Sequence, residues 1–353
     1  MSELMETRKI SGNINISRLG IGCWSFGGGE YWGEQNQKDV ETVVHKAIDN
    51  GVNFFDTARM YNDGESEKSL GLALKNHRNQ AVVCSKVSPA KAYYKTLKEE
   101  CEISLKNLAT DYIDIYMMHW PINPFGVKHF TQDPDIIANP PTAEEAFRAL
   151  ADLKKEGKVK TVGVSNYGVS QMREAIELCP DIAVNEMTYN IISRAIEAEI
   201  LPFCKENNIS VITSMTLMQG VLTGRYSRIE DIPAHQAHSR HFRNERGQGT
   251  SRHYEEGAES EISEVLKTLC EIAANLNISA AQLSIAWVFA NKQVDCALLG
   301  SRNESELLEN IKAAEIVLPP DIIEQINAVS LPVLKKLGSN ADYYENSKNS
   351  RIY

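Results

Sequence analysis

No run of apolar residues in this chain is long enough to cross a bilayer. The first stretch, residues 1–18, is polar and carries no signal-peptide core. Basic residues are the minority charge: 37 Lys+Arg stand against 47 Asp+Glu, a formal net charge of -10. That balance argues against a binder of phosphate backbones, whose affinity rests on basic surface. Cysteine is sparse. The seven are an odd number, widely spaced and without a CxxC pair, so neither a disulfide framework nor a zinc ribbon is expected. Cys84, Cys101 and Cys296 lie in apolar or helical contexts, where a reduced thiol behaves as a small hydrophobe. A cytoplasmic, reducing location is the expectation, with no nucleic-acid or membrane partner. The chain also lacks the GxGxxG fingerprint of dinucleotide-binding sheets and any GxSxG nucleophile elbow. Histidines and carboxylates at metal-ligand spacing are too few to expect a metal in the candidate site.

What is present is an alternation. With 42% hydrophobic and 24% charged residues the chain can build a sizeable core. A short hairpin is expected around residues 14–16, turning at Ser11-Gly12. Strands are then expected at residues 19–21, 52–55, 82–85, 112–118, 159–164, 182–184, 210–213 and 295–299. Helical spacing falls between them, at residues 39–50, 65–76, 96–108, 142–156, 169–178, 198–207, 262–276, 280–291 and 304–313. Gly51 and Gly157 are expected helix stops. Alternating strands and helices imply a parallel sheet. A doubly wound sheet usually ends at five or six strands, so eight units favour closure into a (β/α)8 barrel. No composition break divides the chain. One domain over residues 1–353 is expected, with the barrel at about 18–318 and a C-terminal helix and tail at 319–353. Three segments fall outside the repeat: the loop 121–141, the polar insertion 225–260 and the polar tail 338–353. Loops of that length are usually lids or mobile segments.

The polar residues then fall in a pattern. Asp56, Lys86, His119, Ser165, Asn166, Glu186 and Ser301 all follow expected strand ends, and in a barrel those ends share one face. Singly, each has a plain structural reading: an Asp after a strand caps a helix, a Lys is solvated, a His bonds within the core. Jointly they suggest a site. A tyrosine beside a lysine is a proton-transfer pair, because the ammonium favours the phenolate and should lower the tyrosine pKa from about 10. Asp56 can hold Lys86 charged, and His119 can bond a substrate oxygen. The set Asp56, Tyr61, Lys86 and His119 suits protonation of a carbonyl oxygen as charge develops on it. No side chain donates hydride, so a nicotinamide cofactor is implied.

These residues stand in motifs similar to those of the aldo-keto reductases. The stretches are Gly-Val-Asn-Phe-Phe-Asp-Thr-Ala-Arg-Met-Tyr-Asn-Asp-Gly-Glu-Ser-Glu from Gly51, Tyr-Ile-Asp-Ile-Tyr-Met-Met-His-Trp-Pro from Tyr112, Val-Gly-Val-Ser-Asn-Tyr from Val162, and Val-Leu-Thr-Gly-Arg from Val221. The resemblance spans residues 18 to about 318. It implies a catalytic tetrad at Asp56, Tyr61, Lys86 and His119, with Tyr61 the proton donor and His119 positioning the carbonyl. It also implies that Ser165 and Asn166 hold the nicotinamide carboxamide, with Trp24 and Asp56 beside the ring. Where the family usually has Gln, this chain has Glu186, which accepts but does not donate when ionised. Where the family often has a stacking aromatic, it has Ser214. The resemblance assigns Leu217, Gly220, Leu222 and Arg225 to the cofactor as well. Gly300, Ser301, Arg302, Glu306, Glu309 and Asn310 resemble the adenosine-phosphate loop, and the helix start after Asn303 adds anion-binding amides. The Arg302 guanidinium suits a 2′-phosphate, which favours NADP(H) over NAD(H).

The substrate expected is a small aldehyde or ketone, sugar-derived carbonyls included, bound by Trp24, Tyr61, His119 and Trp120. Two features carry open alternatives. His235, His238 and His241 form either a metal site or part of a solvated lid. Arg240, Arg243, Arg246 and Arg252 either close over a pyrophosphate or are merely exposed. Two other functional classes also stand beside the reductase: a cofactor-binding redox sensor or regulatory subunit of the same fold, and a barrel glycosidase with paired acids. The glycosidase leaves Tyr61 and Lys86 unexplained. Oligomeric state is open.

Overall fold

The structure is a computed structural model that describes residues 5–12, 14–226 and 228–353. Its first element is a two-stranded antiparallel ribbon, β1 (Thr7–Ser11) and β2 (Ile14–Ser17). Eight parallel strands follow: β3 (Leu19–Gly22), β4 (Phe54–Asp56), β5 (Val82–Val87), β6 (Ile113–Met118), β7 (Val159–Ser165), β8 (Ile182–Thr188), β9 (Ser210–Ser214) and β10 (Cys296–Leu299). They are ordered in sequence and close where β10 pairs with β3. The (β/α)8 barrel and its N-terminal hairpin therefore stand as expected. Strands β5 and β8 run further than the apolar runs suggested, so Lys86 and Glu186 lie within strands rather than beyond them.

Strand parity builds the barrel interior. Phe54, Cys84, Met117, Val184, Ile212 and Leu298 point inward from β4, β5, β6, β8, β9 and β10, and Ile10 and Ile16 of the hairpin join them. Side chains two residues apart share a face. Two residues beyond those interior positions stand Asp56, Lys86, His119, Glu186, Ser214 and Gly300. The same step from Gly163 on β7 reaches Ser165. The apolar filling thus passes into a polar layer at the C-terminal mouth. Gly20 is required by the packing, since a Cβ there would lie 2.7 Å from Phe54 Cδ1 and 2.9 Å from Leu298 Cδ2.

The outer helices bury their apolar stripes against the strands, as in Ala143–Lys155, which opens on a capping box between Thr142 and Glu145. Among the described residues no single helix is long and apolar enough to cross a membrane; one pair, Glu259–Asn275 and Ala280–Ala290, passes that test only jointly and bends by 97° at its junction. The loop 121–141 contains two short helices, Pro124–Phe130 and Pro134–Ala138.

The C-terminal segment differs from its polar composition. After the helix Pro320–Leu337 it packs as a strap in which Asp342, Tyr343, Arg351 and Ile352 are all buried. Arg351 donates to Asp342 through Nε at 3.0 Å and Nη2 at 2.6 Å. The insertion is stitched to this strap: Arg240 donates to the carbonyls of Leu337 and Asn340, each at 2.8 Å, and Arg252 pairs with Glu345 at 2.7 Å. Gly168 lets the strap pass, because a Cβ there would sit 2.1 Å from the Ile352 carbonyl oxygen.

Candidate active site

Asp56 ends β4, and its neighbours in register are Gly22 on one side and Cys84 on the other. Lys86 is two residues past Cys84, so its side chain enters the same face one step further up. Its Nζ donates to both Asp56 oxygens at 2.5 and 2.6 Å and to the Thr57 carbonyl at 3.2 Å. The ammonium is wholly buried and also lies 3.2 Å from Glu186 Oε2. Burial works against its charge, but Asp56 and then Glu186 outweigh burial and hold the Lys86 pKa well above its ordinary value.

Tyr61 opens a tight turn after β4. Asn62 and Asp63 adopt left-handed backbone and Gly64 completes it at φ 87°. Asn62 Nδ2 donates to the Gly27 carbonyl at 2.7 Å, fixing the turn to the loop after β3. The Lys86 ammonium lies 5.3 Å from the centre of the Tyr61 ring. The expected fall in the Tyr61 pKa does not occur. Burial raises it, the Asp56 and Glu186 charges add to that, and Lys86 only partly opposes them. Tyr61 is therefore a phenol that keeps its proton.

His119 follows β6, with its backbone N–H donating to the Val87 carbonyl at 2.9 Å. Its ring meets Tyr61 edge-on, centroids 5.6 Å apart. Burial, then the Lys86 charge, push its pKa well below the usual imidazole value, so the ring is neutral. Its Nδ1 is buried without a hydrogen-bond partner, whereas Glu186 Oε2 meets the Lys86 ammonium as an ion pair at 3.2 Å without hydrogen-bond geometry. Buried polar atoms are nearly always partnered, so the His119 Nδ1 orphan at the mouth of the barrel marks the place of a ligand. Burial and the neighbouring Asp56 charge raise the Glu186 pKa to about 8, against the pull of Lys86.

Ser165 and Glu186 are register partners across β7 and β8, and Thr188 pairs with Ser214 across β8 and β9. Asn166 takes left-handed backbone, φ 63°, and its Nδ2 donates to the His119 carbonyl at 3.1 Å and to Ser165 Oγ at 2.9 Å. The loop after β9 is built from positive-φ residues, among them Met215, Met218, Gln219 and Gly220. Leu217 and Gly220 are half-buried and Arg225 is exposed, whereas the Leu222 side chain is core, so only its backbone is free to meet a ligand. At the far end Asn310 Nδ2 donates to Ser301 Oγ at 3.0 Å and to the Gly300 carbonyl at 3.3 Å. Glu306 accepts from the Arg302 backbone N–H at 2.9 Å. The Arg302 fork donates to Gln35 Oε1 at 3.0 Å and the Glu34 carbonyl at 2.6 Å, which ties this loop to the one after β3. Glu309 is exposed and pairs with Lys312 on its own helix at 2.7 Å.

Three participants escaped the sequence. Tyr31 stacks on Trp24 at 5.1 Å, and Trp24 in turn lies 5.8 Å from Tyr61, nearly parallel. The cluster Trp24, Tyr31, Trp32 was the available signal. Gln35 holds Arg302, and Arg351 lies 3.7 Å over the Trp120 ring; nothing in the local sequence announces either. Trp120 is consequently buried beneath the strap, a wall behind the site rather than an open face.

The insertion is not a solvated lid throughout. His241 is buried against Ser193 and the Ile192 carbonyl, His238 stacks on Tyr344 at 5.1 Å, and His235 meets Tyr31 edge-on. The three rings serve three different partners. Arg240, Arg243, Arg246 and Arg252 are each occupied by a carboxylate: Glu255, Glu259, Glu259 and Glu345.

A closed eight-stranded barrel whose mouth gathers Asp, Tyr, Lys and His is the architecture of a carbonyl oxidoreductase. The Aldo/keto reductase family model matches residues 18–331, and the chain belongs to that family. It is 30% identical over 327 residues to the NADH-specific methylglyoxal reductase of Escherichia coli, covering 87% of this chain and 92% of that one. It is 29% identical over 339 residues to a probable voltage-gated potassium channel subunit beta of Oryza sativa, covering 90% and 93%. In fold it is similar to the glycerol dehydrogenase of Gluconobacter oxydans, with a TM-score of 0.75 at 24% identity over 94% and 96% of the two chains.

Proposed function

We propose that this chain, as a single barrel domain, reversibly reduces a small aldehyde or ketone to the alcohol, with Tyr61 as proton donor. The observation that carries the reading is the buried Asp56–Lys86 pair beneath a protonated Tyr61, edge-on to a neutral His119. The residues at the mouth fit a nicotinamide dinucleotide. Ser165, Asn166 and Glu186 would hold the carboxamide end, Trp24 would flank the ring, the loop of Ser214, Leu217, Gly220, Leu222 and Arg225 would follow the phosphates, and Gly300, Ser301, Arg302, Glu306, Glu309 and Asn310 would hold the adenosine end. Such a cofactor supplies hydride when bound. NADP(H) is favoured because Arg302, held at the loop edge through Nε and Nη2 by Gln35 and Glu34, brings a positive charge for a 2′-phosphate; NAD(H) is the alternative, and the E. coli relative is named NADH-specific.

The chain's own part is to place and move one proton. Tyr61 holds that proton through the neutral range, because burial outweighs Lys86. As negative charge develops on the carbonyl oxygen, Tyr61 delivers it, and the adjacent Lys86 ammonium stabilises the phenolate left behind. Asp56 holds Lys86 in place. Neutral His119 bonds the substrate oxygen without competing as an acid. Trp24 and Trp120 shape the walls. The E. coli relative's name points to small dicarbonyls, and sugar-derived carbonyls fit the same chemistry. A location in a reducing compartment suits the seven free cysteines, six of them buried.

The second reading is a regulatory subunit, raised by the resemblance to plant channel subunits. Turnover decides between them. Tyr61→Phe should lower the rate of nitrobenzaldehyde reduction by roughly 10²–10⁴-fold, the usual worth of a positioned acid, while dinucleotide affinity changes little. A variant as fast as the parent removes Tyr61 from the chemistry. A parent that binds dinucleotide without turnover across a panel of aldehydes, ketones and sugars supports the regulatory reading.

A further inference from the structure

Glu186 is the one member of the buried cluster that the proton transfer leaves without a task. It is 4% exposed, stands on β8 opposite Ser165, and reaches within 3.2 Å of the Lys86 ammonium. Lys86 directs its hydrogen bonds to both Asp56 oxygens, and Glu186 Oε2 meets the ammonium as an ion pair without hydrogen-bond geometry. The cluster thus places two carboxylic acids around one ammonium. With both ionised it carries one negative charge in excess, in a place where water does not dissipate it. The other titratable groups that face Glu186 are neutral. Burial pushes the Cys84 and Cys296 thiols up, and Tyr61 keeps its proton. Among the described residues, the charges that face one another here are those of Asp56, Lys86 and Glu186.

An excess buried charge calls for a cation. If Ser165, Asn166 and Glu186 hold the carboxamide end of the nicotinamide, as the proposed function has it, the adjoining ring is neutral when reduced and carries a positive charge when oxidised. We propose that Glu186 is a charge partner for the oxidised nicotinamide, so that this chain favours the oxidised over the reduced dinucleotide more strongly than a neutral amide at this position would. The proposal rests on that placement of the cofactor. It makes two consequences specific to this chain. The ionised Glu186 carboxylate would offset the positive charge of the oxidised ring. The preference also depends on pH, because Glu186 titrates near 8 in the free protein and a neighbouring cation draws that value down. The sign follows from linkage: the oxidised form binds with proton release, so the oxidised-to-reduced affinity ratio is low in acid, rises through the interval below about 8, and is level above it.

Calorimetric titration of the whole chain with NADP⁺ and with NADPH, from pH 6 to 9 and in buffers of different ionisation enthalpy, tests this. The dinucleotide phosphates are common to both ligands and cancel in the ratio. The expected result is a ratio that rises on the order of tenfold for each pKa unit by which the oxidised ring lowers Glu186, with up to one proton more released on NADP⁺ than on NADPH binding. In Glu186→Gln, of nearly the same shape, the ratio should be lower at pH 8–9 and flat with pH. The parent's own proton release needs no variant and stands even if that variant folds poorly. Binding of both forms with a pH-independent ratio and equal proton release overturns the inference while leaving the reductase reading intact. Failure of the parent to bind either dinucleotide overturns both.

Discussion

Lys86 shows how much one side chain can depend on its neighbours. An ammonium with no exposed surface is unstable alone, and here two carboxylic acids hold it. That arrangement predicts unequal effects from removing its members. Lys86→Met leaves two acids facing each other without a cation and should cost about 3–5 kcal/mol of stability, the range for breaking a buried pair. Asp56→Asn should cost clearly less, because Glu186 remains 3.2 Å away and can ionise fully. Urea denaturation of the two variants checks this, and equal losses would show that Glu186 does not compensate. The sequence displayed Asp56, Lys86, His119 and Glu186 through position alone, each two residues beyond an interior apolar side chain. It misjudged the direction of the Tyr61 shift. A lysine nearby was visible; the depth of burial that outweighs it was not.

At the scale of elements, the C-terminal strap is the part whose role composition concealed. Residues 338–353 read as a polar tail, yet Arg351 and Asp342 form a buried pair and the guanidinium covers Trp120. Charged residues become core when they neutralise each other over a flat apolar face. No local pattern encodes this, because the partners come from the loop after β6, the turn after β7 and the polar insertion. The strap gives Gly168 its reason. Its backbone is ordinary, φ -76°, so a larger side chain is opposed by its neighbours, first the Ile352 carbonyl oxygen at 2.1 Å and then the Gln171 side chain at 3.2 Å. Gly168→Ala should lift the strap, at a cost of about 1–3 kcal/mol typical of overpacking, and leave the barrel folded. Faster amide exchange confined to residues 338–353 and the insertion would be the signature; unchanged exchange there would mean that the strap yields without detaching.

For the whole molecule, the buried histidines make a pH prediction. Burial is the first cause of the depressed values of His119 and His241, the latter pushed down to about 3; the Lys86 and Arg240 charges add to it. The unfolded chain takes up protons near pH 6.5 that these native rings refuse. The rings' contribution to stability is therefore full above about 6.5 and falls as pH drops below it, by about 1.4 kcal/mol per pH unit for each fully buried ring until its native pKa is reached. His129, also depressed to about 3 with burial as its first cause, acts in the same sense. Glu186, raised to about 8, acts in the opposite sense and offsets one ring's share, so denaturant midpoints should decline only from pH 6.5 to 5, where the several rings outweigh it, and His241→Gln should flatten that decline. A midpoint level across that range would contradict the neutral, buried state of these rings.

The sequence by itself determined the barrel, because period-2 and period-3.6 patterns alternate eight times and short connections leave parallel closure as the economical arrangement. It also determined which residues line the mouth, since strand ends and side-chain parity are local properties. Tertiary structure alone decided their charge states and their companions. Whether Tyr61 keeps its proton, whether Glu186 faces Lys86, and which segment covers Trp120 depend on burial and on contacts between residues as much as 231 positions apart, as for Trp120 and Arg351. Electrostatic energy is set by distance and solvent exclusion, and neither is written in the order of residues.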